Sequence, residues 1–172
     1  SHTGTGRFAW LKMRPMTLWE SGDSNGSVSL GELFAGNMPT ISRSEIDIQR
    51  LAFLICRGGW PQAVFFDDES IALDQAFDYY DAVVHSDIQR AGEANFNPEI
   101  VKRLMRSYSR NQGSQTPVTQ IAADMAVNEN AALSDKSVNT YINSLRKIFV
   151  VEDMPAWNPN LRSKTAIRTS DT

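Results

Sequence analysis

Ser134-Asp135-Lys136-Ser137-Val138-Asn139-Thr140-Tyr141-Ile142-Asn143-Ser144-Leu145-Arg146-Lys147-Ile148 reads as one amphipathic helix. Val138, Tyr141, Ile142, Leu145 and Ile148 recur at spacings of three and four, so they share one face, and Ser134 stands where an N-cap hydroxyl is needed. Lys136, Ser137, Asn139, Thr140 and Asn143 fall on the other side, with Arg146 and Lys147 further on. Side chains of these kinds donate to phosphates and base edges when a helix enters a groove of duplex DNA.

Two shorter helices precede it. Pro98 to Asn111 buries Val101, Leu104, Met105 and Tyr108. The next opens with Thr116 as N-cap and Pro117 at the first helical position, burying Val118, Ile121, Ala122 and Met125. After it, Phe149-Val150-Val151-Glu152-Asp153 favours a strand, and the chain returns through Met154 to Asn160 into a second strand over Arg162 to Arg168. Three helices and a small β-hairpin make a winged helix-turn-helix domain over residues 98–172, with Arg162, Lys164 and Arg168 on its wing. The same module can pack on protein instead of DNA, and that alternative stands beside the first.

Upstream, Ala91-Gly92-Glu93-Ala94-Asn95-Phe96-Asn97-Pro98 interrupts the helical pattern and sets a domain boundary at 97/98. The charge balance changes there too: residues 1–98 carry 7 Lys/Arg against 13 Asp/Glu, and residues 99–172 carry 10 against 7. Residues 21–97 read as an all-helical domain. Its helices are a short one capped by Ser29, one over Ile48, Leu51, Ala52 and Ile55 with Ser42 and Glu45 as capping box, and a long one from Ser70 to Arg90. Gly58-Gly59-Trp60-Pro61 turns the chain between the last two. Residues 1–20 hold a strand, Arg7 to Arg14, with apolar residues on both faces and no sheet partner. That orphan strand gives the chain the look of a piece of a longer protein, and such a strand is expected to be disordered, to fold back or to pair with another copy of the chain.

The chain is 172 residues long with 41% hydrophobic and 22% charged content, enough to bury a core, so the fold class is mostly α. No apolar run approaches the ~18 residues of a membrane span, and no secretory signal is present. The single cysteine, Cys56, lies in an apolar run and reads as a small core hydrophobe, which suggests a cytoplasmic protein. There is no phosphate-binding loop of the G-x-x-x-x-G-K-[ST] type, and Gly4-Thr5-Gly6 stands before a strand instead of between strand and helix. His2 and His85 lack the spacing of a metal site, and Asp67, Asp68, Glu69, Asp74, Asp78 and Asp81 have no partner base or nucleophile. The expectation is a non-enzymatic chain without its own cofactor.

His2-Thr3-Gly4-Thr5-Gly6-Arg7, Arg14-Pro15-Met16-Thr17-Leu18-Trp19-Glu20, Gly58-Gly59-Trp60-Pro61, Asp87-Ile88-Gln89-Arg90 and Val150-Val151-Glu152-Asp153-Met154-Pro155-Ala156-Trp157 together resemble bacterial AAA+-type ATPases that carry a C-terminal domain of unknown function. The resemblance implies that residues 1–20 end an ATPase core, that 21–97 form its helical lid, and that a nuclease-like region often follows the winged helix. ATP and magnesium would then belong to the missing core of the parent protein. Arg7 would occupy the arginine position after the sensor strand, where a guanidinium can sense a γ-phosphate. The missing core and downstream region would be partners of this chain, alongside duplex DNA.

Overall fold

The computed structural model describes residues 6, 7, 9, 11–39, 41–91, 95–155, 170 and 171. The chain forms two compact units, residues 1–79 and 80–172. Among the described residues the secondary structure is mostly helical, and no helix is long and apolar enough to cross a membrane.

The first unit contains α1 (Leu30–Phe34), α2 (Ile48–Arg57), α3 (Pro61–Phe65) and most of α4 (Glu69–Ala82). Ser29 caps α1 as expected, accepting from the Glu32 amide. At α2 the expected Ser42/Glu45 capping box is corrected: Asp47 is the cap, its carboxylate accepting from the Arg50 amide at 2.7 Å. Gly58, at φ +70°, ends α2 in a backbone region that side chains rarely adopt. Gly59 leaves room for the Met16 backbone, which a Cβ there would strike, and the Met16 amide donates to the Gly59 carbonyl at 2.7 Å. The opening strand is also corrected. Ala9 and Leu11 to Arg14 form no strand, and Leu11 and Met13 are almost fully exposed, while Phe8 and Trp10 lie outside the described residues. No strand stands beside this segment among the described residues, so its backbone lacks the ladder that would make it one.

The stripe of α2 is turned inside out. Ile48 is 78% exposed and Ile55 72%, whereas Leu54 and Arg57 are buried. Asp23 accounts for this. It accepts from Arg57 Nη2 at 2.9 Å, from Arg50 Nη2 at 2.8 Å and from the Ser21 hydroxyl at 2.8 Å, while Arg50 Nη1 also reaches Glu69 at 2.9 Å. Phe53 lies under both guanidiniums, 4.9 and 5.8 Å from their central carbons. Burial alone would raise the Asp23 carboxyl, but the bonds from Arg50, Ser21 and Arg57 outweigh it and hold the group below its ordinary range. The charged face of α2 is therefore the inward one. Cys56, expected in the core, is exposed for the same reason.

The second unit begins within the long helix. α4 continues through a π turn, Val83–Asp87, into α5 (Ile88–Ala91), followed by α6 (Pro98–Arg110), α7 (Val118–Asn128) and α8 (Asp135–Lys147). The π turn packs on α6 and α5 packs on α8. Gln89 also bonds both backbone groups of Phe96, at 2.6 and 3.0 Å, across the interrupting loop. Those contacts fold residues 80–91 and 95–97 into this unit, and the division falls at 79/80, earlier than the 97/98 boundary expected from composition. Val84, Ile88, Val101, Leu104, Ile121 and Leu145 meet in its core.

α8 has its expected cap, Ser134, and buries Val138, Ile142 and Leu145. The α7 cap is corrected: Pro117 occupies that position, and the Thr116 hydroxyl instead turns back to Asn111 at 3.3 Å. The hairpin is corrected too. Phe149 and Val150 lie in a turn, with Phe149 at φ +62°, and the described antiparallel pairing joins β1 (Met154–Pro155) to β2 (Ser170–Asp171). The second strand expected at 162–168 lies outside the described residues.

Removing the Asp23 carboxylate leaves Arg57 buried without its counter-ion. Asp23→Ala is expected to destabilise the first unit by about 3 kcal/mol, read as a lowered urea midpoint of tryptophan fluorescence. An unchanged midpoint would show that the ion pair does not hold α2 in its inverted orientation.

Candidate nucleic-acid interface

Lys136, Asn139, Thr140, Asn143 and Lys147 are all exposed and follow one another along a single stripe of α8, opposite Val138, Ile142 and Leu145. No carboxylate interrupts the stripe. Neither lysine makes an ion pair among the described residues. The Thr140 hydroxyl donates to the Lys136 carbonyl at 2.9 Å, back onto its own helix.

Two residues expected in the interface are otherwise engaged. Ser137 is half-buried beside the cap, its amide and hydroxyl both meeting the Ser134 hydroxyl, at 3.2 and 2.9 Å. Arg146 reaches sideways: Nη2 pairs with Asp153 at 2.8 Å and Nη1 donates to the Asn143 Oδ1 at 2.8 Å. It ties the end of α8 to the segment after it instead of pointing outward. Arg162, Lys164 and Arg168 lie outside the described residues. Arg7 is exposed in a bend.

The orientation of α8 is set by groups that the sequence reading did not single out. Arg103, Arg106 and Arg110 recur along one side of α6 at spacings of three and four. Arg103 Nη1 donates to the carbonyls of Glu129 and Asn130, both at 3.1 Å, and so caps the C-terminal end of α7. Arg106 and Arg110 both pair with Glu129, at 2.8 Å each, and Arg110 also pairs with Asp124 at 2.6 Å. The Ser107 hydroxyl donates to Asp124 at 2.5 Å. Beyond Glu129, Asn130 takes a left-handed conformation at φ +50° and Ala131 is buried, so the chain turns sharply into Ser134 and α8. The signal available in the sequence was the arginine spacing together with Glu129 in the polar loop between two helices.

These ties shift the carboxylates. The Arg110 bond, followed by that from Ser107, holds Asp124 at about 2 despite its partial burial. Arg106 and then Arg110 hold Glu129 below the ordinary carboxylate range.

Among the described residues, the surface is also indented by hollows away from this stripe. One of about 520 Å3 in the first unit lies between the loops around Asn25 and Ser42, whose polar groups bond one another: Asn25 donates to the Arg43 carbonyl at 3.0 Å, and Ser27 meets Ser42 at 2.9 Å. Another, about 310 Å3, borders the core face of α8 and is lined by Met105, Tyr108, Leu145, Val150 and Val151. Among the described residues no group of three or more His, Cys, Asp or Glu is arranged to hold a metal ion.

Residues 48–171 match the family described as a domain of unknown function (DUF8612), and the chain belongs to that family. The match starts at the first residue of α2 and runs through the whole of the second unit's helical set. No curated protein and no solved structure matches the chain.

Asp124 titrates lower in the folded state than its ordinary 3.8, so it contributes stability that is fully present above that value and is lost as the pH falls towards about 2. Urea midpoints followed by helical circular dichroism are expected to drop between pH 4 and pH 2. Asp124→Asn should lower the neutral-pH midpoint and make this drop shallower. A variant with the wild-type pH profile would remove Asp124 from the clamp.

Proposed function

We propose that residues 98–172 act as a winged helix-turn-helix module that contacts duplex DNA through α8. The observation that carries the reading is the unbroken exposed stripe of Lys136, Asn139, Thr140, Asn143 and Lys147 on a helix whose opposite face is buried. Its length and composition suit insertion into a major groove, with the lysines meeting phosphates and the amides facing base edges. The sharp turn through Asn130 and Ala131 supports a helix-turn-helix. In this reading Arg146 orients the end of α8 and does not touch phosphate.

The remainder of the chain is read as the non-catalytic, lid-like part of an AAA+-type ATP-binding protein, on the resemblance of its motifs. ATP and magnesium would bind in the parent's missing core, to which this chain would add Arg7 alone. A second reading, an interaction module that packs on the parent's missing regions, is favoured by one observation: the apolar row of α2, Ile48, Leu51 and Ile55, faces outward.

Fluorescence anisotropy of the full chain with labelled random duplex over a salt series separates the readings. A DNA contact loses affinity linearly on log-log axes, and Lys136→Ala with Lys147→Ala is expected to weaken binding and make the slope shallower by about 2. Absence of binding at low salt would overturn the DNA reading and leave the packing module.

A further inference from the structure

The five outward side chains of α8 are not equivalent as readers of a base edge. Lys136 and Lys147 can only donate. Thr140 has its hydroxyl proton committed to the Lys136 carbonyl, which leaves it an acceptor and a methyl group. Asn143 is fixed by its neighbour: Arg146 carries donors alone, so the bond between them, at 2.8 Å, must be accepted by the Asn143 Oδ1. Asp153 holds Arg146 in place from the other side, at 2.8 Å. The Asn143 amide is thereby pinned with its oxygen engaged and its Nδ2 turned away from the arginine, free to donate.

Asn139 differs from all four. It is exposed, and among the described residues its amide has no hydrogen-bond partner, so both its donor and its acceptor are available in one plane. An adenine in the major groove offers the complementary pair, an acceptor at N7 and a donor at N6, and a free carboxamide matches it with two bonds. Resting on the DNA reading above, we infer that Asn139 is the specificity-determining residue of α8, reading an adenine of an A·T pair, and that Asn143 is a sequence-independent donor held by the Asp153–Arg146 relay. A phosphate oxygen or any groove acceptor satisfies Asn143 equally, so its contribution does not depend on the base.

Selection of the full chain on a randomised duplex library, followed by anisotropy on the selected and scrambled duplexes, tests this. The wild type is expected to select an adenine at a fixed position. Asn139→Ala should reduce discrimination at that position by roughly tenfold to a hundredfold while keeping salt-sensitive binding to scrambled duplex. Asn143→Ala should weaken both duplexes alike and keep the preference. Retained salt-sensitive binding with no adenine preference, or a preference untouched by Asn139→Ala, would overturn the inference alone. Loss of preference in Asn143→Ala and not in Asn139→Ala would overturn it by reversing the two roles. No binding by the wild type would overturn the DNA reading and this inference together.

Discussion

The second unit depends on how three arginines of α6 hold the far end of α7. Arg103 donates to the carbonyls of Glu129 and Asn130, just past the end of α7, and Arg106 and Arg110 converge on the Glu129 carboxylate. A helix end is a poor place for a fixed angle, because its last carbonyls have no partner within the helix. Here the two residues that follow α7 are held through their carbonyls by one guanidinium nitrogen of a neighbouring helix. The direction in which the chain leaves α7, and hence the presentation of the polar stripe on α8, is set by that clamp. Tyr141 adds a second tie from the core side of α8, its hydroxyl accepting from the Asn97 amide at 3.2 Å and its ring meeting Phe96 edge-on.

The clamp also changes what the charge of this half means. This half carries an excess of Lys and Arg, yet Arg106 and Arg110 are matched to Glu129 and Asp124, and Arg146 to Asp153. The outer stripe of α8 is left with two lysines and small polar groups. A surface of that kind relies on short-range contact geometry more than on a long-range field. The first unit obeys the opposite logic. Asp23 draws two arginines inward, and α2 gives up its apolar row to solvent to accommodate them.

Helix existence was legible along most of the chain, because the caps expected at Ser29 and Ser134 stand where their helices begin, and the polar stripe of α8 could be placed residue by residue. The failures have particular physical causes. Periodicity located the apolar row of α2 but not the side on which Asp23 would bury Arg57, since an ion pair between residues 34 positions apart leaves no periodic trace. Arg146 looked like an outward cation because Asp153, its counter-ion, lies beyond the end of the helix. Thr116 has the chemistry of a cap, but α7 begins at Val118 with Pro117 in the cap position, which leaves the Thr116 hydroxyl one residue too early. The boundary at 97/98 was drawn from composition, whereas Gln89 fastens the far end of that loop back onto α5.

The π turn at Val83–Asp87 has a consequence for how the chain tolerates changes of length. An α-helix advances about 100° per residue, so a residue gained or lost in its middle swings every later side chain to another face. A π turn is one residue in excess of the α-helical count, contained within a single wide loop of the spiral. Deleting one residue between Val83 and Asp87 would restore regular α-helix there and leave Ile88 directed at the same core. Along this helix, that stretch is where the loss of a single residue can pass without turning the later side chains to another face.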